Sequence, residues 1–195
     1  MAPLESNTVF RWIFLLFALP IHAAELQGVT VEDRVRVDGR ELELNGIGMR
    51  TRFFVNVYVG GFYLEDKVST AQAAIDAPGA KRVIFVMMRA ADAEQFVESI
   101  DDGLRANNTP EELARVQRQI DALFGMIRNI GQAKKGMRIV LDYAPSARAT
   151  TLFVDGVAQG QPMPGEEYYR MLLRIWFGDN PAQEELKRGL LGQQL

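Results

Sequence analysis

The stretch from Leu44 to Asp66, LNGIGMRTRFFVNVYVGGFYLED, constrains the fold more than any other part of the chain. Gly46, Gly48 and Arg50 come first, in a G-x-G-x-R arrangement. A run rich in Phe, Val and Tyr follows, from Phe53 to Leu64. Glycines permit tight turns and close backbone approach. Aromatic and β-branched residues suit a pleated, buried surface. The expected arrangement is a glycine turn that sets Arg50 at the mouth of a long central strand, 53–64. Along that strand Tyr58, Gly60 and Phe62 share one face, and Tyr63 looks the other way.

The flanking segments extend the β pattern. Val29, Val31, Val35 and Val37 alternate with polar residues, Asp38-Gly39 signals a hairpin, and Leu42 and Leu44 lead back to Gly46. Further strands are expected at 82–88, 137–143 and 150–154, with Asp155-Gly156 as another hairpin before 157–159. Helices are expected over 69–77, capped by Ser69, and from an Asp92 cap to Gly103 or Asn107. One long helix should run from Pro110, behind a Thr109 cap, to a stop at Gly131. In it Gly125 marks close packing or a kink. The apolar segment 166–177 should be helical and end at Gly178, with a last helix opening at Pro181. No internal repeat or interdomain linker interrupts the pattern. It predicts an α+β fold, an antiparallel β-sheet with α-helices packed on one face.

Composition narrows the chemistry. The 195 residues suit one domain with a sizeable core. A net charge of −3 gives no electrostatic footprint for nucleic acid. There is no cysteine, which excludes disulfides, thiolate catalysis and Cys-ligated metals. The single histidine, His22, lies in a segment that reads as a secretory signal peptide, 1–24. Arg11 supplies the positive start, Trp12 to Leu19 the apolar run, and Ala23 and Ala24 the small residues at the cleavage site. The apolar run is short for a bilayer span, so no stable membrane span is expected after cleavage; an uncleaved anchor is the alternative. The expectation is a periplasmic or secreted domain, 25–195. Without His22 it lacks the usual general base near neutral pH and the commonest metal ligands, and no cofactor or metal is expected.

The Leu44–Asp66 stretch resembles the chalcone isomerase superfamily, and the whole chain is similar to its secreted bacterial members from about Glu25 onward. Arg50 falls on the family's functional arginine, and Val57 to Asp66 fits the strand that follows it. The resemblance implies an open-faced β-sandwich. In the fatty-acid-binding branch an Arg and a Tyr hold the ligand carboxylate, which here implies Arg50 and Tyr58. Tyr58 stands where the plant isomerases carry a catalytic threonine. The rest of the isomerase set does not carry over: Phe96 and Gly103 stand for the catalytic Tyr and Asn, and Ile175 for a Thr or Ser. Cyclisation of chalcones is therefore not expected.

An arginine facing an apolar cavity must find an anion, because an unpaired buried charge is costly. Apolar walls with one charged anchor suit a small amphipathic carboxylate such as a fatty acid. The expected ligand-binding residues are Arg50, Tyr58, Phe62, Phe96 and Ile175, with Phe54, Ile100 and Trp176 as further wall. Three alternatives compete with parts of this reading. Arg50 could pair internally with Glu41, Glu43 or Glu65. It could act as the catalytic electrophile of an intramolecular lyase or isomerase on an enone-like substrate. The chain could also be a structural envelope protein without a ligand. Nothing in the sequence points to a particular protein partner. Met87 and Met88 read as core filler, one of Tyr168 and Tyr169 is expected to stay wet, and Glu94, Glu98, Asp101 and Asp102 read as a solvated helix face.

Overall fold

Asp38-Gly39 and Asp155-Gly156 both form tight hairpin turns in left-handed backbone, with φ of 54° and 75° at the first and 48° and 81° at the second. Gln27-Gly28 forms a third turn of this kind, at 53° and 77°. The computed structural model describes residues 23–193. In chain order the elements are β1 (Ala23–Leu26), β2 (Val29–Glu32), β3 (Arg34–Val37), β4 (Arg40–Arg52), β5 (Val55–Leu64), α1 (Ala71–Asp76), β6 (Lys81–Met87), β7 (Ala91–Asp92) and α2 (Ala93–Asn107). They continue with α3 (Pro110–Arg115), α4 (Gln117–Ile130), β8 (Gln132–Ala133), β9 (Arg138–Ala144), β10 (Ala149–Val154), β11 (Val157–Pro164), α5 (Glu166–Phe177) and α6 (Glu184–Leu190). The expected signal peptide lies outside the described residues, except for Ala23 and Ala24, which lie in β1 and pair with Glu32 and Val31 of β2.

Seven strands form one sheet in the order β11-β10-β9-β6-β5-β4-β3. Every neighbouring pair is antiparallel. The helices cover one face. On the other, Val31 of the β1–β2 hairpin packs in one cluster with Val37, Leu42, Tyr63, Ile84 and Val86 of the sheet. The Tyr63 hydroxyl donates to the Glu32 carbonyl at 2.8 Å, tying the hairpin to the sheet.

The G-x-G-x-R segment is not a turn. It lies inside β4, which runs unbroken to Arg52, and the chain reverses at Phe53-Phe54 instead. The glycines serve close approach. A Cβ on Gly46 would lie 2.2 Å from the Gly189 carbonyl oxygen, and one on Gly48 would lie 2.7 Å from that of Leu186. Thus α6 rests directly on the backbone of β4. One extra residue, Asn45, shifts the β4–β5 register between Leu44 and Gly46. Such a bulge inverts the side-chain alternation. Leu42 and Leu44 therefore face the β1–β2 hairpin, while Gly46, Gly48 and Arg50 face the helices. The Asn45 side chain fixes the bulge, donating to the Leu190 carbonyl at 2.8 Å and accepting from the Val68 amide at 2.7 Å.

Other boundaries also differ from the sequence expectation. Thr70, not Ser69, caps α1, accepting from the Ala73 amide. Thr109 and Glu112 form a reciprocal capping box at α3. The long helix breaks at Val116, whose φ of −115° and ψ of 15° separate α3 from α4. Gly125 meets nothing within 4 Å of where a Cβ would stand, so close packing does not explain it. The last helix starts after Gln183 rather than at Pro181. Tyr168 and Tyr169 are both buried, because eight of the twelve residues of α5 are enclosed. Their hydroxyls meet Met163 Sδ at 3.3 Å and the Leu141 carbonyl at 3.1 Å, so neither needs water.

Lys81 is 0% exposed. Its ammonium donates to the Gly79 carbonyl at 3.1 Å and lies 4.9 Å from the centre of the Tyr143 ring. Burial pulls its pKa down; the Glu166 charge opposes this, Arg170 adds to it and Glu65 opposes it. With the folded pKa below the unfolded one, the unfolded chain holds the extra proton between the two values. The cost of burying the charge is therefore complete below the folded pKa and fades as pH rises toward the ordinary lysine value. Lys81→Met is expected to stabilise the fold by about 1–2 kcal/mol at neutral pH. Denaturation at pH 7 and at increasingly alkaline pH should show that gain shrinking; a loss of stability at pH 7 would show that the ammonium is a net stabiliser.

Candidate ligand-binding site

The sheet brings Arg50 and Tyr58 together. They are directly opposed across β4 and β5, so both side chains leave the face that carries the helices. The register shifts again just beyond this pair, between Arg50 and Thr51. The side chain of Gln183, at the start of α6, accepts from the Thr51 amide at 2.8 Å and from Arg50 Nη1 at 3.4 Å. The carboxylates that could have neutralised Arg50 are engaged elsewhere. Glu41 and Glu43 pair with Arg34 at 2.7 and 2.8 Å, and Glu65 pairs with Arg40 at 2.9 Å. Among the described residues Arg50 forms no ion pair.

Tyr58 is 9% exposed. Its hydroxyl accepts from Trp176 Nε1 at 3.2 Å, and its ring meets Phe85 edge-on, with centroids 4.9 Å apart. Burial pushes the phenol pKa up, while the Trp176 hydrogen bond and the Arg50 charge oppose the shift. The phenol therefore keeps its proton at neutral pH. With the indole N–H on one lone pair, the O–H remains a donor. A guanidinium and a neutral phenol side by side can together hold one carboxylate by charge-assisted hydrogen bonds.

Both residues line a cavity of about 520 Å³ between the sheet and the helices. That size falls within the range of small-molecule sites. Phe96 and Ile100 from α2, Leu123 and Ile127 from α4, and Leu172 and Ile175 from α5 supply apolar wall. The exposed residues Arg52, Arg89, Gln95, Glu98 and Ser99 mark the open side. At Gly103 a Cβ would lie 2.8 Å from Ile175 Cγ2. Two positions where the isomerase resemblance implied polar groups are thus closed against each other by helix packing.

Of the expected ligand-binding residues, Arg50, Tyr58, Phe96 and Ile175 share this cavity, as do Ile100 and Trp176. Phe62 does not. It lies four residues beyond Tyr58, about 13 Å along the strand. There it is fully buried against Phe177, with ring centroids 4.9 Å apart. Phe54 is not part of the wall either; it is 103% exposed at the β4–β5 turn. Met87 is buried in the core. No local signal marks Gln183, Arg52 or Arg89 for this region; the docking of α6, the end of β4 and the β6–β7 connection bring them here.

A second cleft, lined by Asn107, Asn108, Arg174 and Lys187, is polar and internally bonded. Arg174 donates to Asn108 at 2.8 Å and to Glu112 at 3.0 Å, and Lys187 donates to the Gly178 carbonyl at 2.8 Å. On the acidic face of α2, Glu94 pairs with Arg128 and Asp101 with Arg105. Among the described residues no group of three or more acidic or histidine side chains could hold a metal ion.

The antiparallel sheet and the helices packed against it define a chalcone isomerase-like fold. The chain belongs to the chalcone isomerase-like family, whose model matches residues 23–192. A crystal structure of a fatty-acid-binding protein from Arabidopsis thaliana superposes with a TM-score of 0.68 at 11% identity, covering 87% of this chain and 96% of that one. At that identity the likeness concerns the fold. No curated protein sequence matches the chain.

Proposed function

We propose that this protein binds a small amphipathic carboxylate, with an acyl chain in the apolar cavity and the carboxylate on Arg50 and Tyr58. The observation that carries this reading is the half-buried Arg50. It has no ion pair among the described residues, and it stands opposite a phenol donor in the lining of an apolar cavity. The structural relative described as a fatty-acid-binding protein supports the same ligand class. The leader-like 1–24 segment supports export, with binding in the periplasm or outside the cell. An isomerase reading has less support, since Phe96, Gly103 and Ile175 leave the cavity without the polar groups that would orient a substrate.

Native mass spectrometry with organic extraction of the purified protein, followed by titration with saturated acids of increasing length, tests the proposal. A co-purifying acid, or saturable binding by one member of the series, is the expected result. No binding by any acid would defeat the reading. Tyr58→Phe should weaken the best acid by about fivefold, the worth of one hydrogen bond of about 1 kcal/mol. An unchanged affinity would remove Tyr58 from the carboxylate's partners.

A further inference from the structure

Among the described residues four hairpin turns place two successive residues in left-handed backbone, and one of them lacks glycine. Gln27-Gly28, Asp38-Gly39 and Asp155-Gly156 each use glycine at the second position. The β4–β5 turn uses Phe53-Phe54 instead, with φ of 49° and 64°. Bulky residues adopt this conformation at an energetic cost, and such strain concentrates at functional positions. These rings do not repay it by packing. Phe53 is 83% exposed, Phe54 103% and Val55 42%, three of the four large exposed hydrophobic residues among those described. The turn therefore presents a protruding apolar tip.

The tip adjoins the cavity, whose open side carries the cations Arg52 and Arg89 and one carboxylate, Glu98. Arg52, Phe53 and Val55 line the same opening as Arg50 and Arg89. The Arg52 guanidinium lies 5.5 Å from the centre of the Phe53 ring. Nine arginines elsewhere in the described chain are ion-paired. Arg50, Arg52 and Arg89 are not; Arg36, Arg118 and Arg148 also lack an ion pair among the described residues, but they do not line the opening. Unpaired guanidinium groups beside exposed phenyl rings match an interface that is anionic at its surface and apolar just beneath.

We propose that the β4–β5 tip docks the protein on an anionic phospholipid bilayer. Phe53 and Phe54 enter the boundary between headgroups and acyl chains, and Arg52 and Arg89 meet the lipid phosphates. A convex tip suits a fluid bilayer, which closes around an inserted ring without a preformed pocket. Docking places the cavity opening against the membrane, so that an amphipathic acid can pass between the two without crossing water. The docking stands on the tip itself; this purpose for it rests on the acid-binding reading above.

The test is co-sedimentation of the purified full chain with phosphatidylglycerol-containing vesicles and with vesicles of phosphatidylcholine alone. Stronger binding to the anionic vesicles, weakening with salt, is expected. Phe54→Gly supplies the residue this turn favours, so the fold should be kept. It should reduce vesicle association about tenfold. Because both proteins share the same N-terminal segment, the difference reports on the tip. As a second readout, Phe54→Trp should gain fluorescence that shifts to the blue on anionic vesicles and is quenched by lipids brominated on the acyl chain. Undiminished binding by Phe54→Gly, or an unquenched Phe54→Trp, overturns the proposal. So does the absence of binding to either vesicle type, which would leave the tip to a protein partner. Phe54 lies outside the cavity lining, so acid titration of Phe54→Gly in solution, without vesicles, tests the acid-binding reading separately.

Discussion

Arg50→Ala is expected to weaken acid binding by about thirty- to hundredfold while hardly changing stability. Truncating one partner of a desolvated, hydrogen-bonded charge pair costs about 2–3 kcal/mol or more, and each 1.4 kcal/mol is tenfold in affinity. The loss falls on the complex. In the free protein the Arg50 side chain makes one hydrogen bond, a long one of 3.4 Å to Gln183, and no ion pair among the described residues. Removing it therefore breaks little, and thermal unfolding should stay within about 0.5 kcal/mol of the parent. Arg50→Lys should fall between the two, because a lysine keeps the charge but loses the planar fork that grips both carboxylate oxygens. Calorimetric titration beside thermal melts reads both quantities on the same samples. A variant that binds acid as tightly as the parent would remove the anchor from the site. One that binds normally but melts far lower would return Arg50 to a structural role.

Much of the architecture was legible because it depends on local chemistry. Asp38-Gly39 and Asp155-Gly156 announced their turns, Thr109 and Pro110 announced a helix start, and period-two alternation placed Tyr58 and Tyr63 on opposite faces. The Arg50–Tyr58 pair was anticipated from family resemblance, and the antiparallel register then accounts for it. The failures at Gly46, Gly48, Phe62 and Gln183 share one cause: each depends on a contact between elements far apart in the chain. Gly46 and Gly48 look like turn residues until the backbone of α6 lies against them. Phe62 shares a strand face with Tyr58, yet periodicity does not tell where along that face the cavity gives way to core. Phe53 and Phe54 look like the start of a buried strand, because an apolar run carries no mark of the point where it leaves the protein. Gln183 has no local signal at all, since its role comes wholly from where α6 docks.

That docking makes Gly46→Ala the most damaging single-methyl change expected here. In a strand interior, replacing glycine by alanine is ordinarily favourable by roughly 0.5–1 kcal/mol, because glycine loses more freedom on folding. At Gly46 the new Cβ would lie 2.2 Å from the Gly189 carbonyl oxygen, 2.5 Å from the Gly192 amide nitrogen and 2.7 Å from the Leu190 carbonyl oxygen. All three atoms are backbone, so no side chain can rotate away. The helix must lift, and it carries Leu186 and Leu190, both fully buried, off the sheet. Uncovering even one such side chain costs about 1.5–3 kcal/mol. With strain added, a loss of about 3 kcal/mol or more is expected, a fall of about 6–12 °C in melting temperature for a domain of this size. Lifting α6 also withdraws Gln183 from Arg50 and Thr51, so acid affinity should fall with stability. Gly60→Ala is the matched control: its Cβ would meet Leu186 Cδ1 at an ordinary 3.5 Å. Gly46→Ala should lose stability heavily, whereas Gly60→Ala should stay near neutral. If Gly46→Ala melted at or above the parent temperature, α6 could not be seated on β4 as described. The link from helix docking to Arg50 would fail with it, whereas a large loss at Gly46 beside a near-neutral Gly60→Ala would establish that contact as the one that positions the site.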